Sequence, residues 1–293
     1  MTDSKGDTKE LLRASVRGVY DLQKLRIQMG NGIAANFRVR LGIAPSTKEE
    51  DSPDASAVLA MVRADYNRIT DGILGLPPRK TFQQHEGVIC TYAELQLVDG
   101  YVELETAEKK LFKSIQTTLK LAPIYTEWLS GVKGVGPAMA GVILSEIDIH
   151  RAKYASSLWR YAGLDVASDG QGRSRKAEHL VDYEYTDSNG EIKTRKGITF
   201  NPFLKTKLIG VLATSFLRSG NERYRKIYDD YKHRLENHPV HAEKTKGHRN
   251  NMALRYMIKQ FLADLYREWR AIEGLTVHPP YSESKLDLKH EAA

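Results

Sequence analysis

Gly131-Val132-Lys133-Gly134-Val135-Gly136-Pro137 is the stretch of this 293-residue chain best suited by residue type to hold a phosphate. Gly134 and Gly136 can take positive φ or let another backbone approach closely. Pro137 fits the first turn of an outgoing helix, where its missing N–H costs nothing. The amides of Val135, Gly136 and Ala138 would then point out of a helix N-terminus, and Lys133 adds charge. Such a place attracts anions. The same residues would also serve as a plain tight turn between two core helices.

A second stretch, Val166 to Lys176, is Gly-rich and basic and holds two serines, Ser168 and Ser174. Arg173, Arg175 and Lys176 supply its charge. It reads as an exposed, mobile loop. His233, His238, His241 and His248 follow no metal-ligand spacing, and Cys90 stands alone, so neither a zinc site nor an internal disulfide is expected.

The elements that would position these stretches are mostly helical. Ile124, Trp128, Leu129 and Val132 lead into the first stretch, and Ala140, Ile143, Leu144 and Ile147 form one apolar face after it. Together they read as a helix-hairpin-helix. Upstream, residues 1–7 read as a tail and a helix begins at Thr8, interrupted at Gly30-Asn31-Gly32. Ser52-Pro53 offers a cap and first turn for the next helix. Tyr92 to Lys120 is the longest helical candidate, with Glu108 where a strict heptad wants an apolar residue. Asp21, Asp65 and Asp71 read as solvated.

Downstream, Gly163 suits a helix C-cap. Leu180 to Tyr185 alternates, Thr186 to Gly190 is a turn signal, and Ile192 to Thr199 can return as a partner strand. Asn201-Pro202 opens a helical set with three apolar stripes, the clearest running from Leu254 to Trp269. The expected fold is mainly α: a helical N-terminal unit (1–90), a long connecting helix (91–130), a helix-hairpin-helix DNA-binding domain with one small β-hairpin (131–270), and a tail (271–293).

The net charge of +7 is uneven. Residues 131–260 hold 23 Lys/Arg against 14 Asp/Glu, a net of +9, and the rest holds 21 against 23, a net of −2. The positive field belongs to the segment with the hairpin, which points to a polyanion such as nucleic acid. No apolar run is long enough for a membrane span, and the polar start lacks a signal-peptide layout. A cytoplasmic protein with no membrane partner is expected.

The order of the pieces carries a resemblance. "GVKGVGPAMAGVILSEI" after a long helix, then "LWRYAGLDV", a basic serine loop, a helix pair and a last amphipathic helix resemble the C-terminal transposase domain of the insertion-sequence family named one-ten, one-sixteen and nine-oh-two. The likeness covers about residues 92–270. It implies a protein that cuts and joins DNA under a guide RNA, with a serine nucleophile. The matching position is Ser168, where Asp169 intervenes before the glycine that follows the family's serine directly; Ser174 is the fallback. It also implies an N-terminal domain with four acidic metal ligands. Residues 1–90 carry no such quartet, so no cofactor is identified, and Mg2+ would enter only if a partner supplied the ligands.

Two readings follow. The first is a DNA-binding transposase-like protein in transposition or recombination, acting as a serine-dependent enzyme if catalytic, and as a homodimer or beside a catalytic partner chain. The second is a non-catalytic, structure-specific DNA- or RNA-binding descendant of such a domain. The DNA contacts expected in both are Lys133, Gly134, Val135, Gly136, Ala138, Arg173, Arg175 and Lys176.

Overall fold

A computed structural model describes residues 3–42, 55–72, 75–80, 82 and 87–279. Among these residues the fold is mainly helical with one two-stranded antiparallel hairpin, as expected. The chain divides into two compact units, Ala14–Ile115 and Met1–Arg13 with Gln116–Ala293.

The first unit holds α2 (Ala55–Ile69) and the greater part of α1 (Asp3–Arg40) and α3 (Tyr92–Leu119). Ile33, Phe37, Val58, Val62, Leu95 and Val98 form its core. The expected break at Gly30-Asn31-Gly32 does not occur: α1 runs through it, and it begins before Thr8. Glycine in a helix interior costs up to about 1 kcal/mol. Here it permits close packing, because a Cβ on Gly30 would lie 3.1 Å from the Tyr101 ring, and one on Gly18 3.1 Å from Leu111. Glu108 is off the heptad because it pairs with Arg26 at 2.5 Å. Asp65 is buried, not solvated: its Oδ2 accepts the Ile89 amide at 2.8 Å. The Ser52-Pro53 cap lies outside the described residues.

The second unit holds α4 (Pro123–Glu127), α5 (Pro137–Glu146), α6 (Ala155–Tyr161), strands β1 (Val181–Thr186) and β2 (Ile192–Gly197), α7 (Pro202–Lys207), α8 (Ala213–Ser219), α9 (Glu222–Glu236) and α10 (Lys246–Ile272). A π-helical turn, Leu208–Leu212, joins α7 to α8, so Pro202 to Ser219 is one rod. The apolar stripe of α10 buries Leu254, Met257, Ile258, Phe261, Leu262 and Leu265. Phe261 meets Phe216 of α8 and Tyr224 of α9 edge-on, and stacks with Trp128 ahead of the hairpin. Burying such rings contributes about 1.5–3 kcal/mol each. Helix ends follow the sequence signals. Asn201, Asn221 and Thr245 cap α7, α9 and α10 through their side chains. Gly163, at φ +64, closes α6 with Leu164 N–H donating to Trp159 O and Gly163 N–H to Arg160 O.

Candidate functional site

The short helix α4 and a 3-10 turn, Leu129–Gly131, lead into the Gly134 turn, and α5 leaves it. Val135 N–H donates to Val132 O, closing a turn whose third residue, Gly134, sits at φ +100. Only glycine accepts that conformation cheaply. A Cβ there would also lie 2.8 Å from Phe216 and 2.9 Å from Ser219. The carbonyls of the loop face inward: Ser215 Oγ donates to Gly134 O at 2.7 Å and Asn221 Nδ2 to Lys133 O at 2.8 Å. Asn221 thus caps α9 and anchors the hairpin together.

This corrects part of the expected phosphate cradle. The Val135 amide is consumed by the turn and its side chain is buried. Gly136 has φ −82, so it is there for access, not for backbone strain. Its amide and that of Ala138 meet no acceptor among the described residues, and a Cβ on Gly136 would touch nothing within 4 Å. Lys133 is exposed beside them. A cleft of about 540 Å³ opens next to the loop, walled by Lys133, Arg223, Tyr224, Asp264 and Arg267.

The serine loop is a laced hairpin. Arg173 N–H donates to Asp165 O, Ala167 N–H to Gln171 O and Gly170 N–H to Ala167 O. Within it the fallback serine is the one that finds a base. Ser174 Oγ lies 2.8 Å from His179 Nδ1, and the Ser174 amide donates to the same nitrogen at 2.9 Å. His179 Nε2 stands 3.0 Å from Asp169 Oδ2. Because an amide donates to Nδ1, that nitrogen holds the lone pair; Nε2 carries the hydrogen and donates it to Asp169. His179 is buried, while Asp169 is exposed and Ser174 half-buried. The Gln171 amide, then His179, hold the Asp169 carboxyl below the usual carboxylate range. Ser168 is exposed, and no described side chain bonds its hydroxyl.

Cations surround this loop. Arg173 pairs with Asp165 at 2.8 Å, and Arg175 and Lys176 are exposed. Three more come from helices that sequence reasoning did not connect with the loop. Lys205 of α7 donates to Arg173 O at 2.5 Å. Arg255 of α10 donates to Gly163 O at 3.1 Å, with its guanidinium against Gly172. Lys259 of α10 lies over the Trp159 ring, whose Nε1 donates to Lys259 O. Burial, then Arg255, lowers Lys205 to about 8. The sequence signal was faint: Arg255 and Lys259 are four residues apart on the flank of an apolar stripe, and nothing local links them to residue 172.

The β-hairpin matches its turn signal, with Tyr183 opposite Arg195 and Tyr185 opposite Lys193. Arg195 lies 4.8 Å from both tyrosine ring centres. Among the described residues no three His, Cys, Asp or Glu side chains converge as a metal would require. No described helix is long and apolar enough to cross a membrane. Comparison with family models, with curated proteins and with solved structures finds no match for this chain.

Proposed function

We propose that this chain is a transposase-like DNA-binding protein, gripping the backbone through its helix-hairpin-helix and carrying Ser174 as the nucleophile of a strand-cleavage and joining step. The observation that carries the reading is the Ser174–His179–Asp169 series, set in a loop ringed by lysine and arginine. A serine hydroxyl needs a base held in the right tautomer, and that base needs an orienting partner. Both are present. Sequence order favours Ser168; geometry favours Ser174.

The step balances without a further reagent. Ser174 Oγ attacks a backbone phosphorus while His179 Nδ1 takes its proton. The bond from phosphorus to one sugar oxygen breaks, and that oxygen receives the proton from His179. The phosphoserine linkage keeps the ester energy, so a strand hydroxyl can reverse the step and rejoin DNA. Negative charge growing on the phosphoryl oxygens is met by the neighbouring cations.

A second reading has its own support. The Ser174 amide competes with its hydroxyl for the His179 lone pair, as expected if His179 only staples the loop of a non-catalytic nucleic-acid binder. Labelled duplex and branched DNA, incubated with wild type, Ser174→Ala, Ser168→Ala and His179→Ala and run on denaturing gels, separates the two. An adduct present in wild type and Ser168→Ala but absent in the other two supports the catalytic reading. Binding without any adduct supports the second.

A further inference from the structure

Lys205, Arg255 and Lys259 gather near the carboxylate of Asp165, which Arg173 already pairs; Arg175 stands near Lys205, and Asp169 also faces Arg173. The Asp165 carboxylate is already committed. Its Oδ2 accepts both Nε and Nη2 of Arg173, and its buried Oδ1 meets no donor among the described residues. Lys205, Arg255 and Lys259 are each about half-buried or more, yet none forms an ion pair with a described carboxylate. Among the described residues the Lys259 ammonium has only the Trp159 ring face, 5.2 Å from its centre. Lys205 and Arg255 each reach one backbone carbonyl and keep donors to spare.

Like charges held together away from water repel, and a fold retains them at a cost in stability. Stability alone does not call for this arrangement, because one carboxylate more would relieve it. Two helices, α7 and α10, send these side chains to one stretch of chain, Trp159 to Arg173. Gly172 makes room for them: a Cβ there would lie 2.6 Å from Arg255 Cζ. The complement of several converging N–H donors with excess positive charge is an oxyanion with several acceptor oxygens.

We propose that Lys205, Arg255 and Lys259, with Arg175 at the rim, bind a phosphate group against the Asp165–Arg173 segment. Resting on the function proposed above, this group is a backbone phosphate next to the one Ser174 attacks, and the subsite sets where the strand lies before cleavage. The contact needs the Lys205 ammonium. The groups that face Lys205 are Arg255 of α10 and Asp165, Arg173 and Arg175 of the loop, with the Phe200 ring below.

The test uses the full-length chain with two probes, inorganic pyrophosphate and a six-nucleotide single strand. The Lys205 signal, assigned by its loss in Lys205→Met, is followed by carbon-13 NMR across pH. Either probe is expected to raise the Lys205 titration midpoint by about one pH unit, since a phosphate beside it favours the charged form. Arg255→Met and Lys259→Met should each weaken that probe about tenfold. Response to the strand alone assigns the subsite to nucleic acid; response to pyrophosphate alone assigns it to a small phosphate. No response to either, or an equal response in Lys259→Met and Arg255→Met, overturns the proposal. Ser174→Ala should bind both probes as wild type does. An intact Lys205 response without any serine adduct would therefore remove the catalytic reading and leave the subsite standing.

Discussion

Ser174 Oγ stands 2.8 Å from His179 Nδ1, and the Ser174 amide reaches the same nitrogen at 2.9 Å. One lone pair faces two donors of one residue. Both contacts tie the loop, and on the catalytic proposal the lone pair would be left to the hydroxyl once the amide served a phosphoryl oxygen. His179→Ala should therefore abolish adduct formation and also loosen the loop by about 1–2 kcal/mol, the cost of lost buried hydrogen bonds. Asp169→Asn should keep DNA affinity within about twofold and slow adduct formation more than tenfold, as expected for a group that only orients a base. Quenched time courses and thermal melts of both variants measure this. Equal adduct rates in wild type and Asp169→Asn would make the Asp169 contact structural only.

The two hairpin glycines should part company. Gly134→Val forces a branched residue to φ +100 and into Phe216 and Ser219. The backbone strain alone is of order 1–3 kcal/mol, and a melting curve should show it. Gly136→Val meets open space, so its melting temperature should stay near wild type while DNA affinity falls about tenfold, because the side chain covers the free amides. A Gly136→Val protein that binds DNA normally would move the DNA contact elsewhere.

Salt dependence should report the phosphate contacts. A backbone-gripping hairpin loses affinity linearly in log salt, with little sequence preference. Lys133→Ala should reduce the magnitude of that slope by about one contact, and Arg175→Ala with Lys176→Ala by about two. Fluorescence anisotropy at four salt concentrations is sufficient.

The pH response has a definite sign. Lys205 titrates at about 8 in the fold against 10.5 when free, so between those values the unfolded chain binds the extra proton. Stability from this group therefore rises as pH climbs from about 8 toward 10.5, and is lowest below 8. Lys205→Met should flatten that rise in denaturant melts. Phosphate affinity runs the other way: it needs the ammonium and should fall as pH passes 8. Asp169 is shifted in the same direction, but for a carboxylate the lowered value favours the charged form; the stability it adds is present above the usual carboxylate range and is lost as pH falls through its lowered value.

How much was legible in the sequence depended on how local each cause was. The turn 186–190, the caps at Asn201 and Gly163, and the long helix from Tyr92 are set by neighbours within a few residues, and they stand as read. Gly30 reads locally as a helix break, whereas its use is contact with Tyr101, about seventy positions away. Asp65 is the same case, since its partner amide belongs to Ile89. In the candidate site, hairpin and loop were visible as composition. The assignment of His179 to Ser174 was not, because it depends on the loop folding back on itself. Lys205, Arg255 and Lys259 were hidden for the same reason at longer range. The rod from Pro202 to Ser219 joins the two sites: Ser215 holds the hairpin and Lys205 the loop, ten residues or about 15 Å apart along a helix.

The central claim is that Ser174 forms a covalent bond to DNA. Wild-type protein is trapped on a nicked or branched substrate, digested, and mapped by mass spectrometry. A nucleotide-phosphate mass is expected on the peptide containing Ser174, absent from Ser174→Ala and His179→Ala and retained in Ser168→Ala. The same mass on Ser168, or no modified peptide from a protein that binds the substrate, would contradict it.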